Sequence, residues 1–164
     1  MTTTAPRLAS TAPPDVREIL DQEQLARLRA GYDRDAMNRA AINALISPFP
    51  PARAFAEVVV GHFYDAARWP PDRRELCLIT YFTVEGGDER GNLGIHIYWG
   101  LMEGLSPEVI GDTILLASVY SGIDKYTNGI RALQRVLTVL REIADGPDAD
   151  RAAQCMSVVL KLRG

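Results

Sequence analysis

Cysteine is scarce in this chain: Cys77 and Cys155 are the only two, and they lie far apart within apolar or amphipathic segments. That usage argues against a disulfide framework and suits reduced thiols. Long apolar runs are missing too, since no stretch reaches the roughly 18 residues of a membrane-spanning helix. The N-terminus lacks the basic start and apolar stretch of a secretory signal. A soluble, cytoplasmic protein with no membrane partner is therefore expected. Basic charge is not in excess, with 18 Lys and Arg against 21 Asp and Glu and a net charge of −3. Such a chain has no field to hold a phosphate backbone, so no nucleic-acid partner is expected. Neither a glycine-rich phosphate loop nor a metal-ligand spacing is found, and no metal or cofactor is expected. No internal repeat is apparent.

What is present is apolar and helical in pattern. With 164 residues and 47% hydrophobic composition, the chain can bury roughly two thirds of its unfolded surface in one domain. Residues 1–14, rich in Thr, Ala, Ser and Pro, read as a disordered tail, and residues 15–164 as a single domain. Val16, Ile19, Leu20, Leu25 and Leu28 recur at helical steps up to Gly31. Asp33 can cap a second helix, which the Ser47-Pro48-Phe49-Pro50-Pro51 cluster breaks. A third spans about 52–67 with an apolar face of Phe55, Val58, Val59 and Phe63. Leu76 to Val84 is rich in β-branched and aromatic residues and could pass for a buried strand. The spacing of Asp72 and Glu75 suits a capping box, which favours helix. Further helices are expected from Asn92 to about Gly104, and from Ser106-Pro107-Glu108 to Gly122 with Val109, Ile110, Ile114, Ala117 and Tyr120 on its face. A long helix capped by Asp124 should follow, and a last one over 148–162. The fold class is all-α.

The chemistry gathers between Asp72 and Gly122. A histidine is the ordinary proton carrier at neutral pH, and only His62 and His96 are available. His62 has no motif around it and reads as structural. His96 shares a helix face with Asn92 and Trp99, four residues before and three after. Glu75, ahead of Leu78, Ile79 and Phe82 at helical spacing, sits at the edge of a buried face where a proton could be shared. Tyr120 ends its helix beside Gly122, where a phenol can reach a pocket or a backbone group. Arg73 and Arg74 at a helix start oppose the dipole, which suggests that a carboxylate from a substrate or a partner compensates them. Cys77, in an apolar stripe, reads as an inert core residue.

The order of these pieces carries a resemblance. Asp72-Arg73-Arg74-Glu75-Leu76, the Gly86-Gly87 turn, Asn92-Leu93-x-x-His96, Gly104-Leu105-Ser106-Pro107-Glu108-Val109-Ile110 and Val119-Tyr120-Ser121-Gly122 together resemble the carboxymuconolactone decarboxylase and alkylhydroperoxidase D-like family over about 55–140. The resemblance implies an all-helical bundle assembling as dimers, trimers or hexamers, with the active site near the histidine helix. The family's peroxidase branch carries a Cys-x-x-Cys ahead of the histidine, with an upstream Glu in its proton relay. Glu89 and Asn92 stand at the two cysteine positions here, and neither can form a sulfenate or a disulfide. The decarboxylase branch has Glu-Leu-x-x-His, and Asn92 takes the place of that carboxylate.

The expected function is cofactor-free acid/base chemistry on a small carbonyl, lactone or keto-acid substrate, by decarboxylation, isomerisation or cyclisation. His96, Glu75 and Asn92 are the catalytic candidates, with Tyr120, Trp99 and Arg74 binding substrate. The alternatives are a non-catalytic oligomeric scaffold, and a residual peroxidase using Cys77. Ile42, Leu45, Ile46 and Phe49 offer more apolar surface than a lone small unit covers, so a homo-oligomer is expected.

Overall fold

A computed structural model describes residues 15–45, 50–59, 68–86, 92–146 and 151–163. All regular structure among them is helical: α1 (Val16–Ile19), α2 (Gln22–Gly31), α3 (Arg34–Leu45), α4 (Pro50–Val59), α5 (Pro71–Glu85), α6 (Asn92–Met102), α7 (Pro107–Ser121), α8 (Ile123–Ala144) and α9 (Arg151–Arg163). None of these helices is long and apolar enough to cross a membrane. The expected tail at 1–14, His62, Phe63 and Glu89 lie outside the described residues, as do the side chains of Ile42, Leu45, Ile46, Phe49 and Cys155 on which other expectations rested.

α6 is the axis of the molecule. Every residue from Leu93 to Met102 is buried, as befits a helix that is apolar nearly all round and enclosed by its neighbours. α5 and α8 flank it most closely, and α2, α7 and α9 complete the surround. Ile79 of α5, Ile97 and Leu101 of α6, and Leu133 and Leu137 of α8 are wholly buried in the shared core. Each such side chain contributes about 1.5–3 kcal/mol through removal from water. The end of α6 is closed by an outside donor: Arg29 Nε and Nη2 donate to the carbonyls of Leu101 (2.7 Å) and Leu105 (2.9 Å), two of the acceptors a helix end and its turn leave open.

Several local expectations meet a different outcome. The first apolar-periodic stretch is two helices, because Leu20 turns extended and Asp21 forms a reciprocal capping box with Gln24. α5 begins at Pro71 with Pro70 as its cap and no side-chain cap bond; Asp72 therefore falls inside the first turn and forms no capping box with Glu75. α8 starts at Ile123 from Gly122, so Asp124 lies in its first turn instead of capping it. α4 turns Phe55 and Val58 to solvent and buries Ala56, the reverse of the expected face. Ser106 does cap α7, accepting from Val109 N at 3.3 Å. Asp33 likewise accepts from Ala36 N at 2.9 Å at the start of α3.

Candidate active site

Glu75 and His96 meet between α5 and α6. On α5 the buried positions are Glu75, Ile79 and Thr83, four residues apart, and the Thr83 hydroxyl is satisfied within the helix by the Ile79 carbonyl at 2.7 Å. Position 75 is a carboxylate, 1% exposed. Burying a charge is costly unless a partner receives it, and the partner is His96, one turn into the enclosed helix. Its Nδ1 lies 2.9 Å from Glu75 Oε2. Arg74 Nε adds a longer contact of 3.4 Å to Glu75 Oε1.

Two rings hold the imidazole. Phe82 stacks on it at a centroid distance of 5.1 Å and an interplanar angle of 13°, and Trp99 meets it edge-on at 5.1 Å and 76°. With its proton on Nδ1 the ring donates a hydrogen bond to Glu75 Oε2, and Nε2 is left as its acceptor. The tautomer follows from this pairing. The arrangement is chemically that of an oriented acid/base: a proton-exchanging ring, a buried carboxylate behind it, and aromatic walls on two sides.

Beside Glu75 opens a narrow polar crevice. Tyr32, Arg34 and Asn38 line it from the α2–α3 side, facing Arg74, Glu75, Trp99 and Glu103. Arg34 forms a two-pronged ion pair with Glu103, its Nε donating at 2.6 Å to Oε1 and its Nη2 to Oε2. That pairing holds the Arg34 guanidinium above its ordinary pKa. The crevice has about 170 Å³ of empty space, open solvent included, and none of it is wide enough for a water molecule. A larger cavity of about 490 Å³ lies elsewhere, between α1–α2 and the turn into α7, lined by Arg17, Leu25, Arg29 and Pro107 among others. Burial there lowers the pKa of Arg29.

Of the residues singled out from the sequence, His96, Glu75, Trp99 and Arg74 are brought together. Asn92 and Tyr120 are not. Asn92 is exposed at the first position of α6, and the partner of the His96 ring is Glu75. Tyr120 is 88% exposed, because the inward positions of α7 are Ile110, Ile114, Ala117 and Ser118 and position 120 falls outside that phase. Val109 is exposed for the same reason. Cys77 is exposed on α5 rather than buried in an apolar stripe. Phe82, seven residues after Glu75 on the same helix, was read only as part of the buried face beside it; Tyr32, Arg34 and Asn38 gave no signal, because only tertiary packing brings them to the site. No group of His, Cys, Asp and Glu capable of holding a metal ion occurs among the described residues. Comparison of the chain with protein-family models, with curated proteins and with solved structures finds no match.

Proposed function

We propose that this protein is a carboxymuconolactone decarboxylase-like enzyme that moves protons on a small carbonyl, lactone or keto-acid substrate with no metal or organic cofactor, working as a homo-oligomer. The observation that supports it is the buried pair of His96 Nδ1 and Glu75 Oε2 at 2.9 Å, walled by Phe82 and Trp99. In this reading His96 takes and returns the proton through Nε2. Glu75 fixes the ring and stabilises the imidazolium that forms, and Arg74 tempers the carboxylate. A positioned acid/base supplies about 10² to 10⁴-fold, enough for a carbon acid or carboxylate already activated by an adjacent carbonyl. The substrate brings its own electron sink. Decarboxylation, isomerisation and cyclisation all meet that condition. The crevice beside Glu75 is too tight for a ligand, so turnover requires the side chains around it to part.

A second reading, a non-catalytic scaffold that keeps the pair as a structural tie, is favoured by that same tightness and by the solvent-facing positions of Asn92 and Tyr120. Purified protein incubated with panels of keto acids and lactones, followed by mass spectrometry, separates the two. The enzyme reading expects a product from at least one panel member and a loss of about 100-fold or more in turnover on His96→Gln. Turnover that stays within a few-fold in the variant removes His96 from the chemistry. A wild-type protein that converts nothing leaves the scaffold.

A further inference from the structure

The cavity of about 490 Å³ between α1–α2 and the turn into α7 shares no residue with the crevice beside Glu75. Its size falls within the about 300–1,000 Å³ usual for a small-molecule site. Leu20, Leu25 and Pro107, all buried, give it an apolar lining. Arg29 lines it as well, and its guanidinium is fixed by the carbonyls of Leu101 and Leu105 at 2.7 and 2.9 Å. Those bonds use two of the five N–H groups of a guanidinium, so three remain, and a carbonyl carries no net charge to match the cation. We propose that this cavity binds a small organic anion with one carboxylate and an apolar body, the carboxylate on Arg29 and the body against Leu20, Leu25 and Pro107. The proposal does not rest on the chemistry of His96.

A comparison of three arginines shows why Arg29 is the group that takes an anion. Arg34 is engaged by Glu103 and Arg17 by Asp15, and each carboxylate raises the pKa of its partner. Arg29 has no carboxylate against it among the described residues, and burial lowers its pKa instead. Withdrawing a charge from water without a counter-charge is unfavourable, and an incoming carboxylate offsets this through charge-assisted hydrogen bonds. The remaining charges limit what the anion can be. Glu108 lines the same cavity and, like Asp15, acts on Arg17 rather than on Arg29. The positive charge therefore stands at the Arg29 end alone, and a second negative charge on the ligand would meet Glu108. A monocarboxylate suits this arrangement; a phosphate monoester, at about −1.5 to −2 near neutral pH, is disfavoured.

The test titrates the full chain with butyrate, hexanoate and phenylacetate, read by calorimetry and by the NMR methyl signals of Leu20 and Leu25. One saturable site is expected, with both leucines shifting and affinity rising about threefold per methylene from butyrate to hexanoate. Hexanamide, which lacks the charge, should bind about tenfold or more weakly than hexanoate, and phenyl phosphate should also bind more weakly. Ala26 is exposed on α2 and lines the cavity, so Ala26→Trp fills it from outside the Arg29 bonds and should abolish hexanoate binding. Arg29→Gln should weaken it about tenfold or more. The Leu20 and Leu25 shifts in the wild type locate the ligand even where a variant does not fold. His96→Gln, which the enzyme reading expects to stop turnover, should bind hexanoate as the wild type does, so failure of that reading and failure of this one are told apart. No saturable binding of any carboxylate up to about 10 mM overturns the proposal. So does hexanoate binding that survives Ala26→Trp or leaves Leu20 and Leu25 unmoved, hexanamide as tight as hexanoate, or phenyl phosphate tighter than either acid.

Discussion

At the scale of a residue, Glu75 is the most consequential side chain described. It is 1% exposed, puts a carboxylate on the buried side of α5, and is tied to His96 and Arg74. Removing one partner of a buried pair leaves the other uncompensated, which generally costs about 3–5 kcal/mol. Glu75→Ala should therefore lower the unfolding free energy by that amount, read as a lower urea midpoint at an unchanged denaturant slope. Glu75→Gln should cost less, about 1–3 kcal/mol, since an amide oxygen still accepts from Nδ1. Equal and negligible losses in both variants would mean that the pair does not hold α5 to α6. The position was legible as chemistry for a definite reason: a carboxylate at helical spacing with Ile79 and Phe82 must be either solvated or partnered. Which of the two applies is decided by α6, and no residue near Glu75 in the chain says where α6 will lie.

At the scale of an element, backbone approach sets which helices touch. Gly129 of α8 faces Ile114 of α7 so closely that a Cβ placed there would lie 2.5 Å from Ile114 Cγ2. Ile114 is β-branched and fully buried, and a side chain of that kind has little freedom to rotate away. Alanine gains about 1 kcal/mol in helix propensity over glycine, but forcing a methyl into a packed core costs about 1–3 kcal/mol. The two nearly cancel at the low end, and the short distance to a stiff neighbour favours the high end. Gly129→Ala should thus destabilise by about 1–2 kcal/mol, a fall of roughly 2–8 °C in Tm for a chain of this size, measured by calorimetry; a rise in Tm would show that α7 and α8 can part at no cost. Element boundaries marked by local chemistry were readable in advance. Ser106-Pro107-Glu108 opens α7 as expected, and Gly86, at φ 116°, ends α5 with its N–H reaching Phe82 and Thr83 carbonyls. The Leu76–Val84 run is helix despite its β-branched residues, because α6 and α7 both pack against it. The start of α5 was misplaced because Pro71 takes the first helical position and pushes the cap onto Pro70, which has no acceptor side chain. The Asp21–Gln24 box was readable by the same rule, and the continuous apolar period around it concealed the break at Leu20. Helix phase, by contrast, separates Tyr120 from Ala117 and Ser118, a distinction that the tyrosine's place beside Gly122 obscures.

At the scale of the whole molecule, stability is unevenly spread. α6 is enclosed by five other helices, and α8 buries Leu133, Val136, Leu137 and Leu140 against it and its neighbours. α4 is at the opposite extreme. Its contact among the described residues is chiefly with α3, and Phe55 and Val58 stand in solvent while Ala56 is buried. Local opening is easiest where few apolar contacts must be broken, and the slowest amides open only with the whole domain. Native-state hydrogen exchange should accordingly place the amides of α6 and the middle of α8 at the global unfolding free energy, for a domain of this kind about 5–15 kcal/mol. Those of α4 should exchange through openings costing no more than about 2–3 kcal/mol, well below that limit. Amides of α4 as slow as those of α6 would instead mean that Phe55 and Val58 are covered rather than exposed to solvent.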